Sequence, residues 1–122
     1  MAPAVENGLP ILFHSDGNIF EMLPDIVDLG ISALNPIEPY GMVVLEVKRN
    51  FGKHIALVGN LDVGAALSMG TPEDVRAEAE QLIDAVGRDG GLVLASSHSI
   101  TKNVKPENFM AMINTARTHG VF

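Results

Sequence analysis

The 122-residue sequence contains no cysteine and no tryptophan, and its eight basic residues are outnumbered by fifteen acidic ones. Without cysteine, disulfides, thiolate nucleophiles and thiolate metal sites are excluded, so a metal would need His, Asp or Glu ligands. The formal charge of -7 argues against nucleic acid or anionic membranes as partners. The sequence has no apolar run near the roughly 18 residues of a membrane helix, and no signal-peptide pattern. We therefore expect a cytoplasmic protein.

The residues that are present favour one folded α/β domain, since 47% are hydrophobic and 19% charged. Short apolar runs alternate with amphipathic segments, which is the pattern of parallel βα units. Strands are predicted over residues 11–14, 32–35, 54–58 and 92–95. The clearest helix has Thr71 as its N-cap and Pro72 as its first residue. We expect four βα units between about residues 9 and 120; the pattern fits half of a barrel or a doubly wound sheet equally well.

Chemically capable side chains gather where the predicted strands end. Because the C-terminal ends of parallel strands meet at one face, these clusters predict a shared site there. Two histidines with carboxylates suit zinc or a related divalent ion, and the alternative is a histidine hydrogen-bonded to a carboxylate without any ion. A further acidic group on the helix of the third unit, which includes Glu78, is expected at the surface. The candidate residues of the site are His14, Asp16, Glu38, Asn60, Asp62 and His98.

Several ordered motifs give a more specific indication. They lie at residues 13–18 (FHSDGN), 29–31 (LGI) followed by 34–36 (LNP), 59–62 (GNLD), 70–75 (GTPEDV) and 106–109 (PENF). In these the sequence resembles the C-terminal half of the uroporphyrinogen decarboxylase family, which includes cobalamin-dependent methyltransferases. The resemblance implies that the four units are the fifth to eighth of a TIM barrel, with residues 1–8 as the tail of the preceding helix.

The resemblance also implies site residues. In the zinc-dependent methyltransferase branch, the metal positions correspond to His14, Asp16, Glu38 and His98. Two of them, Asp16 and His98, stand where that branch has thiolates. The oxygen and nitrogen ligands of these two residues are harder donors than sulfur. In the decarboxylase branch, Asn60, Asp62 and His98 are the expected catalytic residues, orienting a carboxylated substrate such as a tetrapyrrole. The arginines and the essential aspartate of that branch belong to the N-terminal half of the family's barrel.

Three functions remain open from sequence. The resemblance favours a methyltransferase-type enzyme with zinc and a corrinoid methyl donor on a partner. The alternatives are a decarboxylase-type site for a carboxylated substrate and a non-catalytic half barrel that self-associates.

Four strands alone would leave apolar side chains without the opposite half of a barrel. These are residues such as Leu12, Leu34, Leu57 and Leu94, or their alternating neighbours. We therefore expect a homodimer through the apolar strand face, either as a closed eight-stranded barrel or as two sheets packed face to face.

Overall fold

A computed structural model, which describes residues 1–121, contains one sheet of four parallel strands. The strands run in chain order, and each pairs with its sequence neighbours. This confirms the predicted four-stranded parallel sheet and excludes the doubly wound alternative, in which the strand order reverses. The strands are β1 (Leu12–Ser15), β2 (Ala33–Pro36), β3 (Ala56–Leu61) and β4 (Leu92–Ser96).

A helix follows each strand, and one further helix, α1, precedes β1. Their bounds are α1 (Ala2–Glu6), α2 (Leu23–Asp28), α3 (Val44–Phe51), α4 (Pro72–Leu82) and α5 (Pro106–His119). A 3-10 turn (Phe20–Met22) precedes α2, and two π-helical segments, Val63–Met69 and Ile83–Gly87, flank α4. Within residues 1–121, no helix combines the length and apolarity needed to cross a membrane.

The start of α4 is set by local chemistry, as the sequence predicts. The Thr71 hydroxyl accepts a hydrogen bond from the Asp74 backbone N–H at 3.2 Å, and the Asp74 carboxylate accepts one from the Thr71 N–H at 2.8 Å. This reciprocal capping box satisfies two backbone donors at the helix start. The hydrogen bonds from Thr71 also hold the pKa of Asp74 below its ordinary value.

The helices cover only one face of the sheet. Leu34, Leu57 and Leu61 are fully buried beneath them, and Leu94 is partly buried in the same layers. The alternate residues form the other face, which we call the open face: Leu12, His14, Ala33, Asn35, Ala56, Val58, Asn60, Val93 and Ala95. Of the four leucines expected to face a missing half barrel, only Leu12 does so; at the other positions the alternating neighbours take this place.

One strand is longer than predicted. β3 continues through residues 59–61 instead of ending at Val58, so Asn60 lies within the strand and pairs with Ala95 of β4. Gly59 makes this extension fit because it has φ of 145° and passes so close to the Pro36 carbonyl oxygen that a Cβ would collide with it. The Asn35–Pro36 and Gly59–Asn60 peptide bonds are both cis.

Candidate active site

The C-terminal ends of the strands define the candidate site, with each strand delivering at least one predicted residue. His14 lies in β1 and Asp16 just after it, Glu38 lies in the loop after β2, and His98 lies in the loop after β4. Asn60 is the penultimate residue of β3, and Asp62 follows that strand. All six residues therefore lie at the C-terminal edge of the sheet, which is formed by the carboxyl ends of the four strands and the loops that follow them.

His14 is held in a defined orientation by the neighbouring strand. Its Nδ1 lies 2.7 Å from Oδ1 of Asn35, its register partner in β2. The Asn35 amide nitrogen donates to the Val58 carbonyl at 3.2 Å, which directs Oδ1 toward His14. Since that oxygen only accepts, Nδ1 carries the proton and Nε2 keeps its lone pair. His14 thus presents Nε2 as a base or a metal ligand, and Asn35 is the positioning residue behind it.

Asp16 is the acidic neighbour of that nitrogen. Its Oδ2 lies 3.7 Å from His14 Nε2, too far for a hydrogen bond but close enough for both side chains to contact one small ligand. Both side chains are more than half exposed. The pair therefore presents one nitrogen and one carboxylate to solvent at the end of β1.

The remaining two predicted metal ligands do not join this pair. Within residues 1–121, no three His, Asp or Glu side chains form a group that could hold a metal ion. The reason is the strand order, in which β1 and β4 are the two outermost strands, so that His14 and His98 lie at opposite ends of the C-terminal edge. The residues of one chain thus do not fit a zinc ion as they stand, and we assign no chemical step to one. The site of His14, Asp16, Glu38 and His98 stays a prediction.

Asp62 is the candidate-site carboxylate with the most hydrogen bonds at the C-terminal edge. Its Oδ1 accepts the backbone N–H groups of Gly64 and Ala65 at 2.7 and 2.9 Å, and its Oδ2 accepts the Tyr40 hydroxyl at 2.7 Å. Partial burial opposes ionisation of Asp62, but the hydrogen bonds from Tyr40, Ala65 and Gly64 outweigh it and lower the pKa. The same hydrogen bond and the Asp62 charge raise the pKa of Tyr40. Asp62 is thus a fixed anion that links the loops after β2 and β3.

Glu78 corrects one expectation from the sequence. It was expected on the surface, yet its Oε1 accepts the Asp62 backbone N–H at 2.9 Å. Burial raises the pKa of Glu78; the hydrogen bond from Asp62 partly offsets this rise, and the Asp62 charge adds to it. The edge therefore contains two neighbouring carboxylates whose pKa values are displaced in opposite directions.

Asn60 and His98 differ in their surroundings, because the Asn60 side chain makes a hydrogen bond within the chain and His98 is exposed. The Asn60 amide donates to the Ile37 carbonyl at 3.0 Å and so ties β3 to the loop after β2. His98 is exposed and follows Ser97, a buried residue whose hydroxyl accepts the Val63 N–H at 3.1 Å. Asn60, Asp62 and His98 stay predicted catalytic residues.

The sequence reasoning overlooked Tyr40 and Glu78 as members of the site. Tyr40 is the single tyrosine of the chain and lies two residues after Glu38, in a loop that faces the same edge. This position close to Glu38 could have identified Tyr40 as a member of the site from the sequence. Glu78 lies inside α4 among other acidic residues, and only the path of β3 into the following segment brings its carboxylate to Asp62.

Charge is unevenly distributed along the edge. The loops after β1, β2 and β3 contain Asp16, Glu38 and Asp62 and neither Lys nor Arg. The loop after β4 contains Lys102 and Lys105 and no acidic residue. Lys105 donates to the Gly70 carbonyl at 2.8 Å. Three of the four loops thus present negative charge to a ligand.

The chain is similar to known proteins along almost its whole length. It is 30% identical over 105 residues to the uroporphyrinogen decarboxylase of Neisseria gonorrhoeae (strain NCCP11945), covering 86% of this chain and 28% of that protein. It is 31% identical over 109 residues to the enzyme of the same name from Azoarcus sp. (strain BH72), covering 89% and 29%. The chain thus spans under a third of the length of these relatives.

A solved structure has the same fold. The methyltransferase from Methanosarcina mazei superposes with a TM-score of 0.77 at 26% sequence identity, over 93% of this chain and 32% of that one. The match confirms that the four βα units are part of a TIM-barrel-type architecture. The family model for uroporphyrinogen decarboxylase (URO-D) matches residues 2–119. The chain belongs to the uroporphyrinogen decarboxylase family.

Proposed function

We propose that this chain forms the carboxyl-terminal part of a methyl-transferring active site. The observation that supports this most is the charge of the candidate edge, where Asp16, Glu38 and Asp62 lie in loops without Lys or Arg. A polycarboxylated substrate needs cations around it, whereas a carboxylate-rich edge attracts cations and does not repel a neutral substrate. The likeness to a methyltransferase of solved structure agrees with this assignment.

In this proposal His14 and Asp62 have separate roles. A methyl acceptor loses its proton as the methyl group is transferred to it, and His14 Nε2 is the available base at the edge because Nδ1 is committed to Asn35. Asp62, held by Gly64, Ala65 and Tyr40, stays ionised and orients the substrate. The methyl group would come from a methylated corrinoid carried by a partner protein; the cobalt–carbon bond of that donor would break, and its electron pair would stay with cobalt.

The test is a comparison of two probes, methylcobalamin and uroporphyrin, titrated into the full chain and followed by their absorbance. We expect methylcobalamin to bind and uroporphyrin not to bind. His14→Ala should leave methylcobalamin binding in place but abolish any transfer of its methyl group to an added thiol. His54→Ala, a substitution at an exposed histidine before β3, is the matched control and should change neither.

A decarboxylase-type site is the second candidate, because residues 59–62 keep the GNLD motif and the curated relatives are uroporphyrinogen decarboxylases. Uroporphyrin binding that is weakened by Asn60→Ala or His98→Ala, without methylcobalamin binding, would replace our proposal with this one. Binding of neither probe would contradict both and leave the non-catalytic half barrel.

A further inference from the structure

Ser97 is a buried residue that makes hydrogen bonds to both chain neighbours of Asp62. Its backbone N–H donates to the Leu61 carbonyl at 2.6 Å, and its hydroxyl oxygen accepts the Val63 N–H at 3.1 Å. Leu61 directly precedes Asp62 in the chain, and Val63 directly follows it. One residue after β4 therefore fixes the backbone on either side of the carboxylate that follows β3.

The hydroxyl contact marks the point where the pairing of β3 with β4 ends. Leu61 is the register partner of Ser96. In a longer pair of parallel strands, the next N–H of β3 toward β4, that of Val63, would bond to the backbone carbonyl of residue 97. The Ser97 hydroxyl takes that hydrogen bond instead. The chain can therefore turn at Asp62 into the following helical segment while the Val63 N–H keeps a partner.

A serine suits this position by its size and its chemistry. Ser97 is 1% exposed, so its side chain is enclosed by protein and bulk water cannot replace its hydroxyl as an acceptor. Without the hydroxyl, the Val63 N–H would be left without a partner on that side, which is costly for a buried donor. Alanine at this position would thus loosen the turn that carries Asp62.

The next residue of the chain is His98, and its backbone is also fixed. The Ser96 hydroxyl donates to the His98 carbonyl at 2.6 Å, so the chain is closed tightly around Ser97. Ser96 itself pairs with Leu61 in the sheet. The start of the loop after β4 is therefore tied to the end of β3.

Asp62 is also held by α4, since its own backbone N–H donates to Glu78 Oε1 at 2.9 Å. That contact fixes Asp62 to the helix layer. The two hydrogen bonds of Ser97 instead join the backbone around Asp62 to the loop that contains His98. The contacts of Ser97 and Glu78 therefore have different consequences for the site.

We propose that Ser97 is a positioning residue that holds Asp62 and His98 in a fixed arrangement, so that both residues act on one ligand as a unit. This inference rests on the proposed function, in which Asp62 orients the substrate. Ser97 is buried and acts through its two neighbours, as residues that support a site from behind commonly do. A displacement of Asp62 should therefore be transmitted to His98.

The test is a double-mutant cycle that is followed by the backbone amide resonances of the ¹⁵N-labelled full chain. Asp62→Ala removes the acceptor of the Gly64 and Ala65 N–H groups and so displaces the start of the following segment. In the wild-type background we expect it to shift the amide resonances of Gly64, Ala65 and His98. In the Ser97→Ala background the shifts at Gly64 and Ala65 should remain, and the shift at His98 should fall to less than about half.

Two controls separate this effect from other causes. Asp62→Asn removes the charge but keeps an acceptor, so the shift that it causes at His98 measures the direct influence of the charge. Thr115→Val removes another buried hydroxyl, one that donates to the Ala111 carbonyl within α5. It should leave the response of His98 to Asp62→Ala unchanged.

Ser97→Cys is the second variant, for the case that Ser97→Ala does not fold. It keeps nearly the size of the side chain and replaces the hydroxyl with sulfur, a weak acceptor. It should reduce the response of His98 in the same direction.

Three results would overturn the inference. The first is a His98 shift in Asp62→Ala no larger than in Asp62→Asn. The second is a full His98 response in the Ser97→Ala background or, where that variant does not fold, in Ser97→Cys. The third is an equal loss of the response in Thr115→Val, which would indicate general loosening of the fold. The measurements use neither a corrinoid nor a thiol, so this inference and the methyl-transfer proposal can each fail alone.

Discussion

At the residue scale, the most informative contact is the one between His14 and Asn35. Sequence reasoning identified His14 as a candidate ligand, but it could not determine which ring nitrogen is available. That depends on the register of β1 against β2, which places the Asn35 amide 2.7 Å from Nδ1. The predicted site residues were found because polar residues after apolar strands are visible in the sequence. Their hydrogen-bond partners depend on tertiary structure.

Replacing Asn35 tests this role directly. In Asn35→Ala, His14 Nδ1–H loses its acceptor, so the neutral ring should change from one tautomer to a mixture of two. Imidazole ¹⁵N chemical shifts of the neutral His14 ring measure the change. Asn50→Ala removes an amide that donates to the Glu46 carbonyl of its own helix and serves as the control. Unchanged His14 shifts in Asn35→Ala would show that the amide does not select the tautomer.

Glu78 provides a prediction about pH. Its pKa in the folded state is raised, chiefly by burial, so the folded chain binds more protons than the unfolded chain between the ordinary glutamate pKa and the raised one. Stability therefore falls as pH rises through that window. Glu78→Gln keeps an acceptor for the Asp62 N–H and removes the charge. It should be more stable than the wild type at pH 7 and equally stable near pH 4.

Urea unfolding at fixed protein concentration measures this difference, with Glu80→Gln as the control for net charge. The opposite sign is expected from Asp62, whose pKa is lowered by its hydrogen bonds; its stabilising contribution is present above the ordinary aspartate pKa and is lost as pH falls below it. A Glu78→Gln variant that is less stable than the wild type at pH 7 would contradict the burial argument.

At the element scale, helix α4 was the easiest to predict, because neighbouring residues in the sequence determine where it starts. Thr71, Pro72 and Asp74 are residue types that favour the start of a helix. The structure has the reciprocal hydrogen bonds between Thr71 and Asp74 that such a start implies. The end of β3 shows the opposite case. Gly59 and Asn60 look like a loop in sequence, but the close approach of Gly59 to Pro36 and the pairing with β4 make them part of a strand. Tertiary contacts overrode the local preference for a turn.

The cap of α4 gives a stability prediction. Thr71→Ala removes the acceptor for the Asp74 N–H and the hydroxyl that contacts the Asp74 carboxylate, so it should destabilise the chain by about 1 kcal/mol. The free energy of unfolding in urea is the measurement. Thr101→Ala, in the exposed loop after β4, is the matched control and should lie within about 0.5 kcal/mol of the wild type. Equal stability of the two variants would show that the cap contributes nothing.

At the scale of the whole molecule, the sheet order was predictable because parallel βα units connect neighbouring strands in right-handed crossovers. The sequence did not reveal which face the helices leave open. Leucines occupy both faces, and only the register assigns Leu34 and Leu57 to the covered face and Leu12 to the open one. The strand order separates His14 from His98, which is why a site that looks complete in the sequence is divided between the two outermost strands.

The homodimer expected through the open face is the central claim at this scale, and in its closed-barrel form β4 of one chain pairs with β1 of the second copy. The most direct measurement of this pairing is an isotope-filtered NMR experiment on mixed dimers. Labelled and unlabelled chains are refolded together, and backbone NOEs are recorded only between copies. We predict cross-copy NOEs between residues of β1 and β4 and none between the two copies of β2. Face-to-face sheets lie about 10 Å apart, too far for backbone NOEs, so a dimer without the β1 to β4 signals, or a monomer, would contradict the account.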